Sequence, residues 1–316
     1  MILDNMTAVI VTDDNYAQHL GVTLTSLFEN KKSNQLLKTY LISNGLKPEN
    51  HKKLKRIFEK YQSECIFLDI DAKKFAHLSV KNHMSHAAYY KISIPELIPE
   101  DKVIFLDCDL VIKEDISNLW NIDISDFYLA AVENPEFDRY DQLGIPEGSR
   151  TFNSGVMLLN LKTWRENNIS EKVMEFLLSN SHRTALHDQD GFNSVLYDKW
   201  LPIAPKWNQQ TKFFSMKLDE SSFIQEEWEE AIKNPAIIHY TTSSKPWQYT
   251  NIHPYKEEYY SYLKLTEWHD FVPQGRTFKN QVKKWIIMAL PTPWLVRIRK
   301  NIQIRKNKMI YDDVAK

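Results

Sequence analysis

Three short apolar segments, spaced by two amphipathic ones, open the chain and limit its fold more than any other feature. Residues 8–12 read Ala-Val-Ile-Val-Thr, residues 36–42 Leu-Leu-Lys-Thr-Tyr-Leu-Ile, and residues 65–70 Cys-Ile-Phe-Leu-Asp-Ile. Each has strand length and is rich in strand formers. Between the first two, residues 17–29 carry Leu20, Leu24 and Leu27 on one helical stripe. Between the second pair, residues 47–61 predict a helix with Pro48 in its first turn. A helical crossover returns the chain to the end it left, so strands joined in this way run parallel. The segment reads as a β-α-β-α-β unit, a Rossmann-like half built on a parallel sheet. No Gly-x-Gly-x-x-Gly follows the first strand and the chain has only 7 glycines, so a dinucleotide site of the usual kind is not expected.

Residues 86–94 then read as a helix stopped by Pro95, and Val103-Ile104-Phe105-Leu106 runs straight into Asp107-Cys108-Asp109. The apolar run predicts a strand buried on both faces. Side chains two apart on an extended chain point the same way, so Asp107 and Asp109 should project together from the strand's carboxyl end. Open α/β sheets bind their ligands at that edge. Two adjacent carboxylates repel unless a cation sits between them, and oxygen ligands suit Mg²⁺ or Mn²⁺. Taken alone, an Asp-x-Asp is more often a solvated turn.

Further strands are expected at residues 128–132, 156–161 and 236–239, and a helix at 188–197. Residues 135–150 form a long polar stretch of the kind that covers a site. Asp13, Asp14 and Asn15 end the first strand. They are equally suited to bonding a base or ribose and to an Asx turn capping the next helix. Asp188-Gln189-Asp190 opens a helix, where acidic groups favour the macrodipole. Asn153-Ser154-Gly155 reads equally well as a turn. His239 is a natural ligand for a first-row metal and Lys245 for a phosphate, although a lone His or Lys is usually structural.

Charge is unevenly spread. Ten basic residues and no acidic ones lie between Phe271 and Tyr311, leaving 30 cations against 41 carboxylates elsewhere, a net charge of −11. An acidic body and a basic tail result. The body argues against nucleic acid as a partner. Cys65 and Cys108 provide no disulfide framework and are expected as buried thiols of a reducing compartment. The first residues have neither a basic region nor a long apolar one, so no signal peptide is expected, and no apolar run reaches the ~18 residues of a membrane helix. Residues 1–267 are expected to form one domain and residues 268–316 a basic helical tail. Within that tail Phe278, Val282, Trp285 and Ile286 share a helical stripe flanked by Lys279, Lys283 and Lys284, with Pro291 and Pro293 before a second basic piece, residues 294–308.

Five motifs occur in order: Asp13-Asp14-Asn15-Tyr16, Asp107-Cys108-Asp109, Phe152-Asn153-Ser154-Gly155, His187-Asp188-Gln189-Asp190, and His239 followed by Lys245-Pro246-Trp247. With them the chain closely resembles glycosyltransferase family 8, retaining enzymes that include bacterial lipopolysaccharide galactosyl- and glucosyltransferases. The resemblance spans about residues 8–247. It implies a GT-A fold, with a Rossmann-like, mostly parallel sheet flanked by helices. It also implies a UDP-sugar donor, a saccharide or lipid-linked acceptor, and Mn²⁺ (or Mg²⁺) held by Asp107, Asp109 and His239. Asp13 and Asn15 would contact the uridine, Lys245 the phosphates, and Asn153, Asp188 and Gln189 the transferred sugar, with Gln189 under the anomeric carbon. Two departures stand out. Lys91 occupies the place of a frequent Arg and would touch the donor, and Tyr240-Thr241-Thr242-Ser243 lacks a frequent Gly. The basic tail is similar to the membrane-attaching tail of some members, which implies a cytoplasmic enzyme held peripherally on the inner membrane face. The rival readings are a nucleotidyltransferase, whose glycine-rich basic loop is missing here, and a non-enzymatic peripheral membrane-binding protein led by the tail.

Overall fold

The computed structural model describes residues 5–78, 86–135 and 137–289. Its strands are β1 (Met6–Thr12), β2 (Leu37–Ser43), β3 (Glu64–Asp69), β4 (Lys102–Leu106), β5 (Leu110–Ile112), β6 (Leu129–Glu133), β7 (Phe152–Asn160), β8 (Trp200–Pro202), β9 (Gln209–Gln210) and β10 (Ile237–His239). Seven of them form one sheet in the order β3-β2-β1-β4-β7-β6-β8, and β5, β10 and β9 form a second, small sheet. The opening unit is as expected. Helix α1 (Ala17–Glu29) and helix α2 (Pro48–Lys60) connect β1, β2 and β3, which pair in parallel, and β4 joins β1 in the same direction.

Strand residues divide alternately between two apolar layers. Met6, Ala8 and Ile10 of β1 and Ile104 and Leu106 of β4 face the layer that holds Leu20, Leu24, Leu27, Leu54 and Ile57 from α1 and α2. Val9, Val11, Val103 and Phe105 face the opposite layer, with Val173 and Leu177 of the Ile169–Ser179 helix and Phe192 and Leu196 of the Asp188–Leu196 helix. Burial on both faces explains why these strands are apolar throughout. Each fully buried aliphatic side chain contributes about 1.5–3 kcal/mol. A one-residue slip of β4 would exchange its two faces and carry Asp107 toward the core, so packing sets the register that presents the acidic pair.

Strand β7 pairs antiparallel with β4 and with β6. Its first residues therefore lie at the edge where β1, β4 and β6 end. Phe152 to Gly155 are inside this strand. The expected strand at 156–161 is longer, and Asn153-Ser154-Gly155 is not a turn, because it continues the ladder: Asp107 N–H donates to the Gly155 carbonyl at 2.8 Å. The small sheet sets His239 opposite Leu110 and beside Gln210.

Other expectations need correction. Pro95 does not stop a helix; Ala87–Tyr90 is helical, Lys91–Ser93 is a 3₁₀ turn, and Pro95 lies in the first turn of Ile94–Leu97. A proline is tolerated there because its missing N–H has no partner in a first turn. The long polar stretch contains the short helix Tyr140–Leu143, closed by Gly144 at φ 65°. Cys108 is buried, but Cys65, on the edge strand β3, is only half-buried. Residues just past 267 touch the body. Trp268 packs over Gly21 so closely that a Cβ there would sit 2.6 Å from its ring, and Tyr249 N–H donates to the Gln274 carbonyl at 2.9 Å. The helix Phe278–Ala289 follows. Pro291, Pro293 and the second basic piece lie outside the described residues.

Candidate active site

Leaving β4, the chain bends at Asp107-Cys108-Asp109 before starting β5. The bend is built from inside. Thr23 of α1 donates its hydroxyl to the Cys108 and Leu110 carbonyls, both at 2.9 Å, and accepts from Leu110 N–H at 3.2 Å. The Cys108 thiol turns inward to the Val11 carbonyl at 2.9 Å. With Cys108 buried, its two neighbours are left on the open side. The expected pairing of Asp107 and Asp109 is thus achieved by a bend, not by an extended strand.

The carboxylates meet His239. Its Nε2 lies 3.3 Å from Asp109 Oδ1 and 3.8 Å from Asp107 Oδ2. Ligand atoms of Asp107, Asp109 and His239 all lie within 4.8 Å of one another. Gly155 makes the approach possible: a Cβ there would overlap the His239 ring and sit 2.7 Å from Asp107 Oδ2. Two carboxylates and an imidazole nitrogen around one bare backbone position could hold a divalent ion, and that donor set suits a first-row metal. Asn208 accepts from the other ring nitrogen, Nδ1, at 2.8 Å and donates to Asn153 Oδ1 at 2.8 Å.

Two lysines flank the acidic pair. Lys245 donates to Asp109 Oδ2 and to the Tyr240 carbonyl. Burial works to raise the Asp109 carboxyl, but Lys245 and His239 outweigh it and hold this group well below the ordinary carboxylate range. On the other side, Lys91 Nζ lies 2.9 Å from Asp188 Oδ2 and 3.4 Å from Asp107 Oδ1, with its side chain 5% exposed. Burial works against its charge, yet Asp107 and Asp188 keep the ammonium well above the ordinary lysine value. Burial pushes Asp107 up; Lys91 opposes this and Asp109 adds to it.

Asp188 is buried and also accepts from the Ser154 hydroxyl at 2.9 Å. It starts its helix behind His187, whose backbone sits at φ 54°. Asp190 steadies that strained entry by accepting from the Ala185 and Leu186 N–H groups at 2.7 and 2.8 Å and pairing with Arg139 through both guanidinium nitrogens. Gln189 is half-buried, and its Oε1 accepts from Asn153 Nδ2 at 3.0 Å and from Ser154 N–H at 3.1 Å. Six of the expected residues therefore form one linked group: Asp107, Asp109, His239, Lys91, Asp188 and Lys245. Asn153 and Gln189 join it through Asn208 and Ser154.

Asp13 takes the capping role left open by its sequence. Its carboxylate accepts from Asn15 N–H at 2.9 Å and Tyr16 N–H at 3.2 Å, while Asn15 is exposed at the edge. Asp14 points away, to Lys47 and Asn50. The Tyr16 phenol is pushed up by burial first and then by the charges of Asp109, Asp13 and Asp107. Near it, the His19 ring stacks on Trp247 at 3.4 Å and 12°, which clamps the Lys245 loop to α1. Burial takes the His19 imidazole down to about 3, so it packs as a neutral ring.

Sequence reasoning missed Asn208 and Arg139, and it placed Ser154 in a motif without giving it a role. Asn208-Gln209-Gln210 is a polar run that is wholly buried, and nothing local to it signals that. Only the tertiary position of β10 shows what Asn208 faces. On the tail, Phe278, Val282 and Trp285 are 81%, 44% and 77% exposed, and Lys284 lies over the Tyr249 ring at 5.0 Å. No helix among the described residues is long and apolar enough to cross a membrane.

The family described as Glycosyl transferase family 8 matches residues 7–251. General stress protein A of Bacillus subtilis (strain 168) is 38% identical over 274 residues, covering 84% of this chain and 95% of that protein. The lipopolysaccharide 1,2-glucosyltransferase of Escherichia coli (strain K12) is 27% identical over 279 residues, covering 86% and 81%. Among solved structures, the galactosyltransferase LgtC, crystallised with donor and acceptor sugar analogs, aligns with a TM-score of 0.75 at 22% identity. That alignment covers 83% of this chain and 96% of that one, and the shared architecture is the GT-A fold.

Proposed function

The chain belongs to glycosyltransferase family 8, and from that membership we propose a metal-dependent retaining enzyme that moves a hexose from a UDP-sugar to a saccharide or lipid-linked acceptor. The observation that carries the reading is the convergence of Asp107, Asp109 and His239 at the carboxyl edge of the sheet. A glucosyltransferase and a galactosyltransferase among the relatives support glucose or galactose as the sugar.

In this reading Asp107, Asp109 and His239 hold the metal, Mn²⁺ before Mg²⁺ because of the imidazole. When bound, the ion supplies positive charge against the β-phosphate of the departing UDP. Lys245 is poised beside Asp109 and exchanges that carboxylate for a donor phosphate. Asp13 and Asn15 meet the uridine at the end of β1. Lys91 touches the donor from between Asp107 and Asp188, and Asn153, Asp188 and Gln189 face the sugar. Gln189 Oε1 already accepts two hydrogen bonds, which makes a weak nucleophile weaker. Retention then proceeds through a short-lived ion pair. The bond from the anomeric carbon to phosphate breaks, the acceptor oxygen attacks the departing face, and its proton passes to the freed phosphate oxygen. The carboxylate of Asp188 steadies the oxocarbenium-like sugar.

The tail is the proposed attachment to an anionic membrane, through the exposed stripe Phe278, Val282 and Trp285 with Lys279 beside it. A cytoplasmic enzyme on the inner membrane face would there meet a lipid-linked acceptor. The experiment for the catalytic reading is a screen of UDP-sugars for slow hydrolysis with Mn²⁺. One UDP-hexose should be hydrolysed, the rate should vanish in chelator, and Asp109→Ala should be inactive but folded. Full activity in excess chelator would contradict the metal reading.

A further inference from the structure

Asn208 is fully buried just before β9, as the last residue of the 3₁₀ turn Pro205–Asn208, and bonds the His239 ring nitrogen that does not face the carboxylates. Backbone donors fix which end of each amide is which. The Gly155 N–H can only donate, so the Asn153 atom it meets at 3.0 Å is the oxygen, Oδ1. The Asn208 atom 2.8 Å from that oxygen is therefore its nitrogen. Its own oxygen then faces His239 Nδ1 at 2.8 Å and accepts that ring's proton. Nε2 is left facing Asp109 and Asp107 at 3.3 and 3.8 Å. The same logic holds at the other end. Ser154 N–H marks Gln189 Oε1 at 3.1 Å, and Asn153 Nδ2 donates to that atom at 3.0 Å. One directed chain of hydrogen bonds runs from His239 through Asn208 and Asn153 to Gln189.

We infer that Asn208 is a positioning residue that joins the two halves of the site. Its oxygen holds the His239 ring in the tautomer and orientation that present Nε2 to a metal, and its nitrogen holds the Asn153–Gln189 amides on the sugar side. A partner on the non-ligating nitrogen of a histidine is what sets ring direction and ligand basicity. Asn is the side chain that does both, because it offers one acceptor and one donor at a fixed separation. The inference rests on the metal reading above.

The test separates the two ends. Mn²⁺ affinity is measured by titration calorimetry or by the electron spin resonance of free Mn²⁺ on the full chain, with thermal melting as the check on folding. Asn208→Ala should bind Mn²⁺ about 10–100-fold more weakly than wild type, the loss that follows removal of such an outer partner. Asn208→Asp still accepts from His239 Nδ1 and should restore Mn²⁺ affinity, but it cannot donate to Asn153. Its turnover in UDP-sugar hydrolysis should stay depressed at saturating Mn²⁺. Wild-type Mn²⁺ affinity in Asn208→Ala, or equally weak binding in the two variants, would overturn the inference. If Asn208→Ala does not fold, Asn208→Asp decides alone: wild-type turnover there would overturn the link to Gln189. A wild-type chain that binds no Mn²⁺, indistinguishable from Asp109→Ala, would overturn the metal reading and this inference with it.

Discussion

Lys91 shows how a single side chain serves structure and site together. It is buried, and its ammonium spans Asp188, on the proposed sugar side, and Asp107, on the proposed metal side. Where a longer Arg would offer a planar fork, Lys places a point charge between two carboxylates. Removing it leaves Asp188, whose side chain is 3% exposed, without its counter-ion. Breaking a buried pair in this way costs about 3–5 kcal/mol. Lys91→Ala should therefore lower the melting temperature by roughly 6–20 °C, taking about 2–4 °C per kcal/mol for a chain of this size. It should also reduce kcat/KM for sugar transfer more than it weakens UDP binding. An unchanged melting curve together with equal losses in transfer and UDP binding would place Lys91 outside both roles. Residue chemistry at this scale was partly legible. Asp107, Asp109 and His239 were legible as a set only through the ordered motifs that resemble the family, since each alone reads more readily as structural, whereas Asn208 and Gly155 matter only through what tertiary packing brings against them.

At the scale of elements, the long apolar segments were the most readable. Strands β1, β2 and β4 are buried on both faces, so periodicity and composition agree. The short strands β5, β8 and β9 are two or three residues long and were not read as strands, because their pairing is decided by partners distant in the chain, whereas β10 was expected at residues 236–239 from its apolar run. The misread helix before β4 follows from a residue pair, Ile94-Pro95, that opens a new turn where a stop was expected. The Phe278–Ala289 helix carries a period-matched apolar stripe, of which Phe278, Val282 and Trp285 face solvent. Basic helices with Trp at the boundary lie in the headgroup layer. Each basic residue near an anionic leaflet contributes about 1 kcal/mol, screened by salt. Removal of residues 277–316 should abolish sedimentation with anionic liposomes while sparing UDP-sugar hydrolysis. A full-length chain that ignores such liposomes at low salt would refute the membrane role.

For the molecule as a whole, the main sheet brings the ends of β1 and β4 and the start of β7 to one edge, and the small sheet adds the end of β10 beside them. Within that edge two lysines, Lys91 and Lys245, stand against three carboxylates, Asp107, Asp109 and Asp188. The balance is acidic, which admits a divalent cation and, with it, a diphosphate that the carboxylates alone would repel. The most direct test is calorimetric titration of the full chain with UDP, with and without Mn²⁺. Tight UDP binding should require Mn²⁺ and should disappear in Asp109→Ala. UDP binding of equal strength in excess chelator, or undiminished binding in Asp109→Ala, would contradict the assignment of Asp107, Asp109 and His239 as the centre that holds the donor.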